Sequence, residues 1–245
     1  MTKSTDDGVT RMKKVELEPA SRLKTGVWWM RRSIRDVLGG RDILDVDTTA
    51  SVPGLKIKHV YKKADEFVTR YFPGLTKTTT RSVATRRLLD AINDLEYTIV
   101  EANEEKPWGA YYRLDSAEAD RFIAEFFPGL NAVEARLGNP ELELSPKFLL
   151  VAPDQRLSWQ LHHRRAERWR FLNTGAYYKS LNNTQGERVE AKPGDVVQFQ
   201  KGERHRLCAF DKNNWTLVAE IWQHVDPSMP SNEEDIVRLQ DDYKR

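Results

Sequence analysis

From residue 145 onward, short apolar runs alternate with turn chemistry. The stretches APDQ, NTG, NNTQG, AKPGD, KGER and DKNN punctuate the chain at close intervals. That rhythm predicts an antiparallel sandwich or barrel over 145–225. Earlier segments follow a different period. ADEFVTRYFPGL (64–75) places Ala64, Phe67, Val68, Tyr71 and Phe72 at i, i+3, i+4, i+7 and i+8. ADRFIAEFFPGL (119–130) repeats that spacing with Ala119, Phe122, Ile123, Phe126 and Phe127. Both predict amphipathic helices stopped by Pro-Gly. Two copies are too few for a solenoid, and a duplicated helix-turn, a pair flanking the barrel and coincidence all remain open.

TRSVATRRLLDAINDL (80–95) predicts a further helix burying Leu88, Leu89, Ile92 and Leu95, and YTIVEA (97–102) a strand. GLKIKHVY (54–61) reads as a half-buried strand in which His59 is a satisfied core histidine. The Trp28–Trp29 pair reads as a core or interface anchor. The charged stretch ANEEK (102–106) is the candidate boundary between a mixed α/β extension, 1–105, and a second unit, 106–245, although a surface turn has the same composition.

With 245 residues the chain can bury a substantial core. Its 39 Lys+Arg against 37 Asp+Glu give a net charge of +2, which removes any global electrostatic case for nucleic acid or membrane binding. No apolar run approaches the roughly 18 residues of a membrane span. The start, MTKSTDDGVTRMKK, lacks the apolar core of a signal peptide, so a cytoplasmic location is expected. The single cysteine, Cys208, has no partner for an internal disulfide and reads as a buried strand residue. Histidine is distributed more tellingly: His162, His163, His205 and His224, four of five, lie in the last third.

Within SWQLHHRRAERW (158–169), Gln160 and His162 are two apart and leave the same face of a strand. Glu167 follows after enough residues for the chain to bend back. In PGDVVQFQKGERHRL (193–207), His205 opens the strand RLCAF after a glycine turn. One amide oxygen, two imidazoles and one carboxylate make a shell for a divalent metal with positions left for water or substrate.

LSWQLHHRRAERW (157–169), PGDVVQFQKGERHRL (193–207) and EEDIVRLQDDYKR (233–245) occur in the order of three motifs of the cupin superfamily. They resemble most closely its type II mannose-6-phosphate isomerase branch. KPWGAYYRL (106–114) resembles the segment that opens that domain, and residues 116–144 then stand as an insertion. That insertion shapes a pocket rim or covers the outside of the barrel. The resemblance implies a mostly-β cupin, a double-stranded β-helix or jelly-roll barrel, with a helical N-terminal extension and an inserted helix.

It implies Gln160, His162, Glu167 and His205 as ligands of one divalent ion, with zinc as the non-redox Lewis acid that suits them. It also implies aldose–ketose isomerisation of a small-molecule sugar phosphate, with homodimer formation left open. The alternative is a cupin that binds a sugar phosphate or nucleotide sugar without turnover. Two family histidines are replaced by Arg164 and Arg168, permanent cations that cannot shuttle protons. His163 is therefore the expected proton-transfer residue. Arg164, Arg165, Arg206 and Arg238 are the expected phosphate-binding residues, Arg164 foremost because strand alternation from Gln160 and His162 would aim it inward. An RNA reading of HHRRAERWR finds no supporting motif.

Overall fold

The computed structural model describes residues 64–244, so the strand expected at 54–61, His59 and the Trp28–Trp29 pair lie outside the described residues. Two helices come first, α1 (Ala64–Tyr71) and α2 (Arg81–Asp94). The hairpin β1 (Ile99–Lys106) and β2 (Gly109–Leu114) follows, then α3 (Ala119–Phe126) and the short α4 (Ala132–Ala135). Next are β3 (Lys147–Val151), β4 (Trp159–Leu161), β5 (Arg165–Phe171), β6 (Gly175–Ser180) and β7 (Val189–Ala191). The chain ends with β8 (Val196–Phe199), β9 (Arg204–Ala209), β10 (Thr216–His224) and β11 (Val237–Gln240). One sheet has the order β1-β2-β3-β10-β5-β8 and the other β11-β4-β9-β6-β7. All their pairings are antiparallel.

The two sheets face one another as a jelly-roll barrel, the mostly-β architecture with helical additions that the resemblance implies. Leu149, Val151, Trp169, Phe171, Phe199 and Val218 meet Leu207 and Ala209 in the space between them. The larger sheet is unusual in being covered on its other face too. Phe148, Leu150, Leu217, Ala219 and Ile221 point outward and join a second core with Phe67, Leu88, Ile92, Phe122 and Phe126 from the helices. Double coverage explains why β3 is buried at every position.

The duplicated helices are a pair packed against this outer face. Phe67 of α1 meets Phe126 of α3 edge-on at 5.6 Å between ring centroids, and both rest on Phe148, at 6.0 and 5.2 Å. Their shared Phe-Pro-Gly-Leu ending has a shared cause. Proline cannot continue the helical hydrogen bonding, and Gly74 and Gly129 take φ of +66° and +98°, where a side chain is strained. The insertion 116–144, which contributes α3 and α4, thus covers the outside of the barrel rather than its mouth.

The charged stretch 102–106 is not a linker. It lies in β1, paired with β2 from Ile99↔Leu114 to Lys106↔Gly109. An edge strand needs cover on one face only, so Glu101 and Asn103 are partly buried while Ala102 and Glu104 are exposed. Arg81 of α2 donates to the carbonyls of Glu104, Lys106 and Gly109 at 3.1, 2.6 and 3.2 Å, tying the helices to this hairpin. The sequence-based boundary therefore cuts through a hairpin of the larger sheet. No helix among the described residues is long and apolar enough to cross a membrane.

Candidate metal centre

Strands β4 and β9 pair at Gln160↔His205, which puts those two side chains on one face. His162 follows just beyond the end of β4, and Glu167 enters from β5 in the opposite sheet. His162 Nε2 lies 3.1 Å from Glu167 Oε1, and His205 Nε2 lies 3.3 Å from Glu167 Oε2. All three side chains are buried. Trp169 meets the His205 ring edge-on at 5.2 Å and Phe199 stacks on it at 4.5 Å, which fixes its plane.

Each imidazole is also pinned at its other nitrogen. His162 Nδ1 meets the carbonyl of Asp235, and His205 Nδ1 meets that of Glu203 at 3.1 Å. A carbonyl only accepts, so each Nδ1 carries the proton and each Nε2 turns a lone pair toward Glu167. Burial pushes the His162 imidazole below its ordinary value, favouring this neutral form. Burial also opposes ionisation of Glu167, but the two neighbouring imidazoles and the Arg165 guanidinium outweigh it and hold the carboxyl well below the usual range.

His205 Nε2 and Glu167 Oε2 are buried with no hydrogen-bond partner. Two acceptors facing each other at 3.3 Å need a cation or proton between them. A His-Glu-His donor set within 4.8 Å meets the ligand requirements of a divalent ion. Gln160 lines the same cleft as Glu167, its Oε1 accepting from Ser158 Oγ at 2.7 Å.

A cleft of about 250 Å³ opens from Gln160 and Glu167. Its lining includes Lys106, Trp108, Lys147, Arg165, Glu220 and Arg238. Arg238 arrives because β11 pairs with β4 at Arg238↔Gln160. Lys147 is engaged by Glu233 at 2.9 Å and lies 3.7 Å from Glu220. Lys106 lies over the Tyr111 ring, and neither it nor Arg238 is held by a carboxylate among the described residues.

The structure redistributes the other expected residues. His163 is exposed, and its backbone N–H donates to Asp235 Oδ1 at 2.9 Å. Arg164 leaves the cleft as well, donating to the Pro230 carbonyl at 3.1 Å and to Asn232 Oδ1 at 2.7 Å. Strand β4 ends at Leu161 and a bend covers 163–164, so alternation carried forward from Gln160 fails there. Counted back from Glu167 on β5 it succeeds, and Arg165 is the inward arginine. Arg206 is fully buried but structural, donating to the Leu157 carbonyl at 2.6 Å and to Asp242 at 3.1 Å.

Sequence reasoning missed Asp235, Lys147 and Glu220. Glu220 did leave a signal, a single charge inside the buried strand TLVAEIWQH. Asp235 left none, since the His163 and Arg164 amides it holds lie 72 and 71 positions away along the chain.

No family model matches the sequence, and no curated protein does. Among solved structures, the capsular polysaccharide assembling protein CapF from Staphylococcus aureus is 14% identical with a TM-score of 0.39, covering 60% of this chain and 34% of that one. The chain thus spans about a third of CapF. A cupin 2 conserved barrel domain protein from Salinispora arenicola is 18% identical with a TM-score of 0.34, covering 52% of this chain and 83% of that one. A predicted oxalate decarboxylase from Thermotoga maritima is 16% identical with a TM-score of 0.35, covering 53% and 95%. At this level of likeness, the chemistry of the site is argued from its own residues.

Proposed function

We propose that the chain is a metal-dependent aldose–ketose isomerase of the mannose-6-phosphate isomerase type, acting on a small phosphorylated sugar. The observation that carries this reading is the convergence of two tautomer-locked imidazoles and an otherwise unsatisfied carboxylate oxygen at the cleft. His162, His205 and Glu167 hold the ion, with Gln160 beside them, and zinc suits two imidazoles with one carboxylate. When bound, it supplies Lewis-acid polarisation of adjacent sugar oxygens.

The remaining chemistry belongs to the chain. Arg238 and Lys106 line the cleft and, among the described residues, have no carboxylate partner, which leaves them to take an anionic group such as phosphate. Trp108 is buried with its indole N–H unpaired on the cleft wall, a donor for a sugar hydroxyl. Glu220 takes the proton-transfer role expected of His163. Burial, and secondarily the charge of Glu167, push its carboxyl up to about 7, where it can take a proton from one carbon and return it to the next. Trp169 Nε1 holds Glu220 Oε2 at 2.8 Å and so orients the carboxyl.

The test is metal analysis of the purified chain, followed by deuterium exchange from solvent into mannose-6-phosphate and other sugar phosphates. Stoichiometric metal with exchange at the carbon next to the carbonyl is expected. Metal and sugar-phosphate binding without exchange would replace this reading with the non-catalytic binding protein, which the exposure of His163 favours.

A further inference from the structure

We infer that Arg165 governs the metal affinity of the centre, competing with the ion for Glu167 and His162. This inference rests on the metal reading above. Arg165 is 4% exposed, and its guanidinium lies among the metal-ligating atoms. Its Nε donates to Glu167 Oε1 at 2.8 Å, and one terminal nitrogen lies 3.4 Å from His162 Nε2. The other terminal nitrogen meets Ser231 Oγ at 3.3 Å and the carbonyls of Asn232 and Asp235, each at 3.0 Å. The guanidinium carbon sits 4.0 Å from the centre of the Trp222 ring. Five polar contacts and a stacked indole make this a fixed cation.

Two consequences follow for an incoming ion. Glu167 Oε1 is already engaged, so Glu167 offers the ion Oε2 alone, and His162 must turn its lone pair away from the guanidinium. A divalent cation therefore also enters against the positive charge of the guanidinium. The same charge, added to that of the loaded ion, draws an anionic ligand toward the metal end of the cleft. Arg165 is therefore a positioning and affinity-setting residue for both ion and anion.

Calorimetric titration of the full chain with Zn²⁺ tests this without any turnover assay. Arg165→Gln should bind Zn²⁺ at least tenfold more tightly than the unaltered chain. Arg165→Lys, which keeps the charge but not the fork, should stay within about threefold of it. Arg165→Gln with equal or weaker affinity would overturn the inference while leaving the metal centre standing. Absence of Zn²⁺ binding in both the unaltered chain and Arg165→Gln would remove the metal centre and the inference with it. Should Arg165→Gln fail to fold, the arginine Nε–H resonances of the unaltered chain serve instead. A stoichiometric Zn²⁺-dependent shift of the protected resonance supports competition, and an unmoved resonance in a Zn²⁺-loaded sample excludes it.

Discussion

Asp235→Ala should loosen the turn that carries His162 and weaken the metal centre together with the fold. Asp235 Oδ1 accepts from the His163 amide at 2.9 Å. Its Oδ2 accepts from the Arg164 amide at 2.9 Å and from Ser231 Oγ at 2.8 Å. Hydrogen bonds to a charged acceptor contribute about 1.5–3 kcal/mol each. The three share one carboxylate, and partly exposed amides can recruit water, so the expected loss is about 3 kcal/mol rather than their sum. The backbone carbonyl of the same residue, which alanine retains, orients His162; once the turn loosens it is no longer held in place, and a displaced outer partner of this kind typically costs about 10–100-fold in metal affinity.

Urea denaturation measures the first quantity and Zn²⁺ titration the second, with Asp235→Asn expected between the two extremes. The pH dependence has a definite sign. Burial acts to raise the carboxyl, but the His163 amide and Ser231 outweigh it and hold it below its ordinary value of 3.8. Its stabilising effect is therefore complete above that value and disappears as pH falls through the lower folded-state value. A loss below about 1 kcal/mol with unchanged metal affinity would refute the argument, because ordinary surface substitutions do no more than that.

Phe148→Ala should cost about 3–5 kcal/mol in urea denaturation, since it empties the junction between helices and barrel; a separate early transition of the helices would contradict the shared core. If the cleft seats phosphate, Arg238→Ala and Lys106→Ala should each raise the dissociation constant for a sugar phosphate about tenfold by calorimetry, while Arg164→Ala should leave it within about twofold. Buried Glu125, hydrogen-bonded by Tyr97 at 2.7 Å, has its carboxyl pushed up to about 7. The folded state then keeps a proton that the unfolded state loses, so stability should fall as pH rises from 4.5 to about 7, and Glu125→Gln should flatten that slope in thermal melts across this range.

The convergence of His162, Glu167 and His205 was legible because each sits on or next to a strand whose period is two, and because the stretches that carry them resemble cupin motifs. The helical pair was legible for the same kind of reason, its period being 3.6 with a Pro-Gly stop. Failure came where the period changed. Arg164 and Arg165 are neighbours of identical type, and a bend between β4 and β5 decides which of them faces inward. No local pattern marks that bend. His163 was chosen for its chemistry, yet its direction depends on the same two residues. The tail 233–245 showed no chemistry in sequence because its contribution is made through space: Asp235 clasps the 163–164 turn, and Asp242 pairs with Arg156 and Arg206.

Among the described residues β1 is an edge strand at the rim of the larger sheet, with Arg81 covering only the carbonyls of Glu104 and Lys106 near its end. Such a rim is a template on which a second chain can add strands, and growth of that kind is unselective. Glu101, Glu104 and Glu105 place like charges along it, so two copies brought rim to rim repel each other before their backbones can register. The composition that imitates a linker is thus a guard against self-assembly. A chain carrying threonine or valine at these acidic positions would keep its barrel and gain a tendency to form fibrils, with His162, Glu167 and His205 untouched.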